Sequence, residues 1–492
     1  MRVNHAMKRR MECDLLIVGG GINGTAIARE AARNGLAVVL VEKDDLAGHT
    51  SSASTKLIHG GLRYLEHYEF ALVREALKER TLLMRAAPHL IQPMEFILPQ
   101  TKSSRPWLMV RAGLLIYDLL AGRSPLPWAR RLKRSDVAYQ APLSDPGSGF
   151  VYWDCKVDDA RLTVLNAVDA AQNGADIRTR TALTSARRDG DTWLVTLSDG
   201  SELRARAIAN AAGPWVSQAL SLTGSNSANG IILVKGSHIV VPQLYAGDHA
   251  YFLQQPDGRI VFVAPYHGGT TMIGTTDVPV ANPEDAQIDA AEIAYLCDAA
   301  NRYFSPQIAP EHVVSTWSGI RPLYNDGASA AQEVTRDYVL ELDASGPPIL
   351  SIFGGKITTA RHLAEEAVTK LAGAAEWKVR PATRGVPLPG GDMPDFAAFL
   401  ADVEARYPFL GAERAARMAH AYGTMLHEML DGKDGLGAEF GAGLTAVEID
   451  WLMAKEWAQS VDDIVWRRTK LGMVMGQAET DALATYLEGK RQ

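Results

Sequence analysis

The stretch DLLIVGGGINGTAIAREAARNGLAVVLVEK, residues 14–43, decides the fold. An apolar run is followed by Gly19-x-Gly21-x-x-Gly24, a helical pattern, a second apolar run and Glu42. In this order the first glycine permits a tight turn, the second lets backbone approach a pyrophosphate, and the third lets helix and strand pack closely. An acid about 20 residues farther on is placed to accept ribose hydroxyls. The stretch therefore predicts a Rossmann-like unit that holds a dinucleotide at Gly19, Gly21, Gly24 and Glu42.

Composition excludes several classes of protein. The chain has 492 residues, of which 47% are hydrophobic and 22% charged, as is ordinary for a folded protein with more than one domain. Its net charge of -7 argues against a general nucleic-acid binder, which usually carries a basic excess. Cys13, Cys155 and Cys297 are far apart and form no CxxC pair, so neither a disulfide framework nor a metal site is expected.

The N-terminus and the hydropathy pattern predict neither export nor a transmembrane segment. MRVNHAMKRRME is basic, but it leads into the first strand without the apolar core and cleavage site of a signal peptide. No apolar run reaches the length of about 18 residues that a membrane-spanning helix needs.

The order of patterns predicts an α/β fold: a Rossmann-like cofactor domain, an antiparallel-sheet substrate domain and a C-terminal helical domain. Alternating strands with turn signals occupy residues 230–345, and the strand, glycine-turn and helix patterns on either side return to the cofactor domain. The predicted oxidoreductase region at 1–382 has cofactor segments at about 12–65, 155–220 and 346–375 and substrate segments at about 66–154 and 221–345; a linker at 383–395 and helices at 396–492 follow.

Three further segments are expected to line the cofactor. The polar loop after the first unit concentrates small and hydrogen-bonding residues, namely Ser52, Ser54, Thr55, Lys56, His59 and Gly60. The apolar runs that precede Gly213 and Trp215, and later Gly355, each end in a glycine turn that brings backbone close to a ligand. For any one serine taken singly, a polar surface loop is the competing interpretation.

Seven segments together resemble the flavin-dependent, respiratory glycerol-3-phosphate dehydrogenases of bacteria, nearly end to end. They are the glycine motif, STKLIHGGLRYLEHYEF, NAAGPW, KGSHIVV, SGIRPL, FGGKITTAR and VWRRTK. The resemblance implies non-covalently bound FAD and oxidation of sn-glycerol 3-phosphate to dihydroxyacetone phosphate. It also implies electron transfer to membrane quinone and peripheral attachment to the cytoplasmic face of the inner membrane. Whether the protein forms a homodimer is left open by the sequence.

The resemblance also implies roles for residues outside the glycine motif. Arg63, Arg321 and Lys356 match family positions that line the substrate pocket, and arginine suits a phosphate because its planar fork donates two parallel hydrogen bonds. Tyr64 and His267 are expected to help bind the substrate. Arg321 and Lys356 are also catalytic candidates. Two roles are open for Lys356, which would stabilise the alkoxide or contact the flavin ring.

His238, in KGSHIVV, is the candidate general base, because an unperturbed histidine titrates near neutral pH. A histidine at the start of an apolar run is commonly a hydrogen-bonded core residue, so a structural role is the competing interpretation. His59 is expected nearer the flavin and His267 nearer the substrate.

A basic segment opposes the overall charge of the chain. Between residues 102 and 134 the basic residues Lys102, Arg105, Arg111, Arg123, Arg130, Arg131, Lys133 and Arg134 accompany one acid, Asp118. Residues 107–122, WLMVRAGLLIYDLLAG, predict a helix with a broad apolar face. One interpretation is a helix packed in the core. The other is a surface that binds anionic lipid, which the family resemblance favours.

Two other functions are weighed against glycerol-phosphate oxidation. An FAD-dependent amine or amino-acid oxidase would share the glycine motif and the NAAGPW return, but it would lack KLIHGGLRYLEHYEF. A non-catalytic flavin-binding, membrane-docked protein would keep the nucleotide motif without needing the cations of the pocket. The presence of Arg63, Arg321, Lys356 and His238 argues against this second alternative.

Overall fold

The computed structural model describes residues 11–101, 105–225, 230–325 and 337–491. Within these ranges the chain forms two β-sheets, the helices that cover them, and a C-terminal group of helices. The strands are β1 Met11–Val18, β2 Val38–Val41, β3 Leu57–Ile58, β4 Ile91–Pro99, β5 Arg130–Arg131, β6 Gly149–Val157, β7 Asp176–Arg178, β8 Leu183–Asp189, β9 Thr192–Leu197, β10 Glu202–Asn210, β11 Ile231–Pro242, β12 Ala250–Gln254, β13 Ile260–Tyr266, β14 Thr270–Gly274, β15 Val278–Val280, β16 Ser315–Tyr324, β17 Val339–Asp343 and β18 Ile349–Phe353. The α-helices are α1 Ile22–Arg33, α2 Phe70–Ala86, α3 Trp107–Ala121, α4 Val137–Gln140, α5 Asp159–Gln172, α6 Val216–Ser221, α7 Ala290–Asn301, α8 Ala360–Ala375, α9 Phe396–Arg406, α10 Ala412–Tyr422, α11 Met425–Leu430, α12 Ala446–Glu456 and α13 Gln477–Arg491.

The first sheet carries the glycine motif. Its strands β18, β10, β1, β2 and β7 run parallel in that order, and β17 and the β8–β9 hairpin complete it. Leu15, Leu16 and Ile17 of β1 are fully buried, as expected for a parallel strand that is covered on both faces. Helix α1 packs against both α5 and α8. The predicted Rossmann-like domain is confirmed.

The second sheet is antiparallel apart from the β4–β12 pair, and the predicted substrate sheet is confirmed. Its strand order is β15, β11, β14, β13, β12, β4, β6 and β3, with β16 beside β11 and β5 beside β6. Two strands cross the expected boundaries. β17 falls within 221–345 but pairs with β18 in the first sheet, and β3 falls within 12–65 but pairs with β6 in the second. Both lie where the chain passes between the sheets, so a pattern of alternation alone does not assign them.

The C-terminal helices α9 to α13 form the predicted helical domain, and they share one hydrophobic core with α1, α5 and α8. The segment 383–395, expected to be a linker, packs closely against its neighbours. Leu388 is 1% exposed, and the Thr383 hydroxyl donates to Glu30 Oε2 at 2.6 Å. A Cβ atom on Gly423 would lie 1.9 Å from the carbonyl oxygen of Gly390. The segment therefore holds the helical domain firmly against the rest of the chain.

The VWRRTK segment forms a π-helical turn over Asp463–Arg468. Its two arginines reach the loop that follows β2. Arg467 Nε and Arg468 Nη1 donate to Asp45 Oδ2 at 2.6 and 2.7 Å, and Arg468 Nη2 donates to Asp45 Oδ1 at 2.8 Å. The C-terminal domain thereby fixes a loop that lies a few residues after Glu42.

Helix α3 lies on the surface, and much of its apolar side faces outward. Val110, Leu114 and Tyr117 are buried, whereas Leu108 is 75% exposed and Leu119 is 60% exposed. The core-helix interpretation is therefore wrong for most of this segment. Of the basic residues around it, Lys102 lies outside the described residues, Arg105 and Arg130 are paired with Glu66 and Asp136, and Arg111, Arg123, Arg131, Lys133 and Arg134 are exposed. Among the described residues, no helix is both long and apolar enough to cross a bilayer.

A buried ion pair joins α5 to the C-terminal helices and generates a prediction. Arg161 Nη2 lies 3.0 Å from Glu456 Oε1 and 2.8 Å from Ala421 O. We expect Arg161→Met to lower the free energy of unfolding by about 3 kcal/mol, because it leaves the buried Glu456 carboxylate with only the more distant guanidinium of Arg468, 3.8 Å away. Urea denaturation followed by circular dichroism measures this change. The control Arg161→Met/Glu456→Met should recover part of the loss, since no unpaired charge then remains; an unaltered single variant would contradict the prediction.

Candidate active site

The glycine turn after β1 allows three backbone segments to meet. Gly19 has φ +113°, and a Cβ atom there would lie 2.4 Å from the carbonyl oxygen of Ala211 at the end of β10. A Cβ atom on Gly24 would lie 1.9 Å from Gly19 O. Ser51 Oγ accepts a hydrogen bond from the N–H of Ile22 at 2.9 Å, at the first residue of α1. A side chain larger than that of glycine at position 19 or 24 would therefore collide with the backbone of the turn.

Glu42 closes the other side of this turn. Its Oε2 atom accepts the N–H of Gly20 at 2.7 Å, and its Oε1 atom accepts the N–H of Asp44 at 2.8 Å. Burial raises the pKa of the Glu42 carboxyl, although these backbone donors act in the opposite direction. The carboxylate is therefore held rigidly at the end of β2, beside the turn.

Two connected cavities lie at the carboxyl ends of the parallel strands, where open α/β sheets bind ligands. The first, here called the dinucleotide cleft, is lined by Gly19, Gly21, Asn23, Glu42, Lys43, His49, Ser51, Thr181, Gly213, Trp215 and Gly355. The second, here called the substrate cavity, is lined by Ser54, Thr55, His59, Arg63, Tyr64, Arg321 and Lys356. Both include Ile22, Thr50, Ser51, Gly354 and Gly355 in their walls, so the two cavities are continuous.

Trp215 and two residues that the sequence analysis missed form one end of the dinucleotide cleft. The Lys43 ammonium lies 3.6 Å from the centre of the Trp215 ring, and the His49 ring lies 4.5 Å from it. The indole N–H donates to Glu284 Oε1 at 2.8 Å. Gly213 has φ +56°, which is a conformation that favours glycine.

Two residues of the polar loop, Ser52 and Lys56, line neither cavity. The ammonium of Lys56 donates to the carboxylate of Asp159 at 3.0 Å and to Ser52 O at 2.8 Å, and the Ser54 hydroxyl donates to Asp159 at 2.7 Å. Burial alone would raise the pKa of the Asp159 carboxyl, but Lys56 and Lys470 hold it below its ordinary value. Lys56 and Ser52, expected at the cofactor, therefore stabilise the loop instead.

Gly60 also has a structural role, because a Cβ atom there would lie 2.6 Å from Leu77 Cδ2. Its N–H donates to the Tyr117 hydroxyl at 2.8 Å. The residues on either side of Gly60 line the substrate cavity. His59 lines that cavity, and burial lowers the pKa of its imidazole.

Three cations and the ring of Tyr64 line the substrate cavity together. The Lys356 ammonium lies 3.9 Å from the centre of the Tyr64 ring. It is buried, and it has no hydrogen-bond partner within the part of the chain that the structure describes. Arg321 is held by Asp277 and by Thr275 Oγ1 at 3.3 Å. Arg63 lies in the same wall.

The glycine of KGSHIVV makes room for one of these cations. A Cβ atom on Gly236 would lie 2.6 Å from Arg321 Nη2. Because β11 pairs with β16 through Gly236 and Gly319, a larger side chain there would push the guanidinium out of place. The two motifs therefore act as one unit.

His238 lies behind the wall of the substrate cavity and contacts it through Thr55. Its ring stacks on Trp317 at 5.0 Å, and its Nε2 atom lies 3.0 Å from Thr55 Oγ1. A Cβ atom on Gly274 would lie 2.0 Å from the His238 ring, so the imidazole occupies the space that this glycine leaves. Burial, with Lys56 and Arg321 adding to it, lowers the pKa of His238 well below 6.5, and the imidazole is neutral at physiological pH.

His267 is not brought to the substrate cavity. It lies at the turn between β13 and β14 and lines a separate cavity, between the second sheet and the C-terminal helices. Periodicity places it correctly at the end of a strand, but the side of the sheet on which that turn opens depends on tertiary packing.

Comparison with known proteins identifies the family. One family model, FAD dependent oxidoreductase, matches residues 14–361, and a second, C-terminal domain of alpha-glycerophosphate oxidase, matches residues 381–488. The chain belongs to the family of FAD-dependent oxidoreductases. A glycerol-3-phosphate dehydrogenase of Pseudomonas aeruginosa is 48% identical to this oxidoreductase over 97% of this chain and 95% of its own. A D-erythritol 1-phosphate dehydrogenase of Brucella abortus is 45% identical over 97% of this chain and 98% of its own.

A solved structure shows the same fold. The glycerol-3-phosphate dehydrogenase of Bacillus halodurans, complexed with FAD, matches with a TM-score of 0.76 and 25% identity over 98% of this chain and 91% of that one. The resemblance stated from the sequence motifs is confirmed, and the cofactor of this oxidoreductase is FAD.

The residues of the dinucleotide cleft fit FAD. The glycine turn and the N-terminus of α1 open onto the cleft, as a pyrophosphate requires, and Glu42 lines it for the ribose. Within the described residues, Asn23 Oδ1 and Lys356 Nζ are buried without hydrogen-bond partners, and the two side chains flank Gly355. Buried polar atoms are rarely left unsatisfied in native proteins. Their arrangement is that of a site completed by its ligand.

Loss of the glycine turn should remove the cofactor. We expect Gly19→Ala to purify with little or no FAD, because a Cβ atom would meet the Ala211 carbonyl and the φ of +113° disfavours alanine. The ratio of flavin absorbance to protein absorbance measures the FAD content. Gly113→Ala, in the middle of α3 where a Cβ atom meets nothing within 4 Å, is the matched control and should keep the wild-type ratio. A fully loaded Gly19→Ala protein would refute the expectation.

Proposed function

We propose that this oxidoreductase converts sn-glycerol 3-phosphate to dihydroxyacetone phosphate in the substrate cavity. The observation that carries the proposal is the buried Lys356 ammonium, which has no hydrogen-bond partner among the described residues and lines the cavity with Arg63 and Arg321. A phosphate monoester carries nearly two negative charges at neutral pH, which such a set of cations neutralises. The two relatives reported above are both named for oxidising a phosphate ester of a polyol.

The proposed roles follow from how each side chain is held. Arg63 and Arg321 bind the phosphate, and Asp277 fixes the guanidinium of Arg321 for that purpose. Lys356, over the ring of Tyr64, stabilises negative charge on the alcohol oxygen as its proton leaves. FAD, when bound, supplies the hydride acceptor.

The proposed route for the hydroxyl proton runs through Thr55 to His238. Thr55 lines the substrate cavity, and its hydroxyl lies 3.0 Å from His238 Nε2. The low pKa of His238 leaves the imidazole unprotonated and able to accept. A base acts in its deprotonated form, and the pKa of His238 lies well below 6.5. Protonation of His238 therefore should not reduce the rate of flavin reduction as the pH falls from about 8 to 6.5.

We propose membrane quinone as the electron acceptor and an anionic lipid surface as the docking place. The exposed apolar side of α3, with Leu108 and Leu119, supports contact with the acyl boundary, and Trp128, 57% exposed, lies close to it in sequence. Exposed basic residues at 131–134 support attraction to anionic headgroups. The proposal places the protein peripherally on the cytoplasmic side of the inner membrane.

Anaerobic reduction of the bound flavin tests the substrate and the residue roles together. The measurement is stopped-flow bleaching of the flavin absorbance with sn-glycerol 3-phosphate, D-erythritol 1-phosphate, glycerol or an amino acid. We expect sn-glycerol 3-phosphate to give the highest ratio of limiting rate to half-saturating concentration. Arg321→Gln should raise that concentration about 10- to 100-fold, through loss of charge-assisted hydrogen bonds. His238→Asn should lower the limiting rate about 100-fold or more at full FAD content.

Each outcome of this experiment has one meaning. Arg111→Gln replaces an exposed arginine of α3 that does not line the substrate cavity. It is the matched control and should behave as the wild type. Preference for D-erythritol 1-phosphate would replace the substrate but keep the phosphate-binding roles. Bleaching by the amino acid alone would favour the amino-acid oxidase alternative. A wild-type limiting rate in His238→Asn would exclude this histidine as the proton acceptor.

The apolar side of α3 is tested by vesicle binding. We expect Leu108→Ser/Leu119→Ser to weaken binding to vesicles that contain anionic lipid by at least about tenfold, because two leucines no longer enter the acyl boundary. Cosedimentation of the FAD-loaded protein measures the partition. Val474→Ser removes an apolar side chain of the C-terminal domain that is 51% exposed, and it should leave binding unchanged. Equal binding of both variants and the wild type would rule out α3 as the membrane contact.

A further inference from the structure

The separate cavity that contains His267 lies between the second sheet, α5 and the C-terminal helices. It has a volume of about 1090 Å³. One wall comes from the ends of β6 and β13, and the facing wall comes from α10 and the residues after the π-helical turn. The proposed substrate contacts Arg63, Arg321 and Lys356 are not part of it. This space, here called the interdomain cavity, therefore has a ligand chemistry of its own.

Positive charge predominates in the walls of the interdomain cavity. Seven lysine and arginine side chains line it, against four carboxylates. Several of the arginines are already neutralised: Arg417 lies 2.7 Å from Glu448, and Arg161 pairs with Glu456. The charge left for a ligand comes mainly from two lysines on opposite walls, Lys156 and Lys470.

Neither lysine has a full set of partners among the described residues. Lys156 is half-buried and makes no hydrogen bond or ion pair with a described side chain. Lys470 is 5% exposed, and its ammonium makes no hydrogen bond with a described residue. The carboxylates nearest to it, Asp158 and Asp159, are 3.9 Å away, and Asp159 is already bound by Lys56 at 3.0 Å. A buried ammonium in this state is stabilised by an anion that enters the cavity.

Histidines also line the interdomain cavity, among them His89 and His267. His89 is 1% exposed, and neither of its ring nitrogens has a hydrogen-bond partner in the described structure. Burial lowers the pKa of His267 to about 4, and Lys470, Lys56 and Lys156 add to this effect while Asp158 opposes it. The His267 imidazole is thus neutral, and it lies near enough to Lys156 and Lys470 for both ammonium groups to affect its pKa.

We propose that the interdomain cavity binds a small phosphate-bearing metabolite between Lys156 and Lys470. A phosphate group takes up two positive charges and accepts several hydrogen bonds, which matches two ammonium groups and the neighbouring imidazole of His267. The volume exceeds that of a phosphate alone and leaves room for an organic body. Because the two lysines belong to different domains, the bound anion links the second sheet to the C-terminal helices. The proposal does not depend on the proposed substrate.

Binding of inorganic phosphate to the FAD-loaded protein tests this site. Phosphate also fits the substrate cavity, so the measurements are made in an Arg321→Gln background, in which that site is weakened. The probe is the rise in the midpoint of thermal unfolding with phosphate concentration, against chloride at equal ionic strength, since a ligand of the native state stabilises it by mass action. We expect a saturable rise in this background. Adding Lys156→Gln or Lys470→Gln should weaken phosphate binding at least about tenfold.

The control variant loses one lysine charge, as the test variants do, but at a position outside the interdomain cavity. Lys433→Gln, added to Arg321→Gln, removes an exposed lysine outside the cavity and should leave the phosphate response intact. Lys156→Gln alone should reduce its flavin at the wild-type rate, which separates this site from the reaction. A phosphate response that disappears with Arg321→Gln alone, or that survives both lysine substitutions, would overturn the proposal, as would a response no larger than that to chloride.

Discussion

The buried carboxylate of Asp159, at the start of α5, holds the loop on which both cavities depend. It accepts the Ser54 hydroxyl at 2.7 Å and the Lys56 ammonium at 3.0 Å. The same ammonium lies 4.8 Å from the centre of the Trp317 ring, on which His238 stacks. One anion thus fixes the loop and, through Trp317, the position of the histidine. Removing one member of a buried pair costs far more than a surface pair is worth, because the other charge stays buried.

The C-terminal domain takes part in the cofactor site through a second buried carboxylate. Asp45 is 3% exposed and binds both arginines of the π-helical turn. Two residues later, the N–H of Ala47 donates to Gly20 O at 3.1 Å, so the loop that these arginines hold also closes the glycine turn. The VWRRTK motif has no chemistry of its own that the sequence reveals. Its role is explained by a contact with residues more than four hundred positions earlier, since Arg468 and Asp45 are 423 residues apart.

The sequence predicts the role of a residue well when its partners are near it in the chain, and poorly when they are far away. The glycine turn and Glu42 were predictable, because every constraint on them acts within one strand-turn-helix-strand unit. Lys56 was expected at the cofactor, but its partner Asp159 is 103 residues away, and the residue type alone does not distinguish an ion pair from a ligand contact. Asn23 was missed, although it lies within the glycine motif, between Gly21 and Gly24. His267 depended on which side of the sheet its turn opens.

The cations that suit the substrate cavity to a phosphate also restrict how a proton can leave it. Burial is the main cause of the low pKa of His238, and Lys56 and Arg321 add to it, so a proton on this imidazole is opposed in part by Arg321, one of the proposed substrate contacts. On the proposed route, His238 therefore accepts the hydroxyl proton only as the hydride leaves the carbon that carries the hydroxyl. Lys356 favours the same moment, because its ammonium, which has no hydrogen-bond partner among the described residues, binds the oxygen most strongly when that oxygen carries negative charge. The separation of His238 from the cavity by one hydroxyl group follows from this conflict, since a histidine directly among the cations would be a still weaker base.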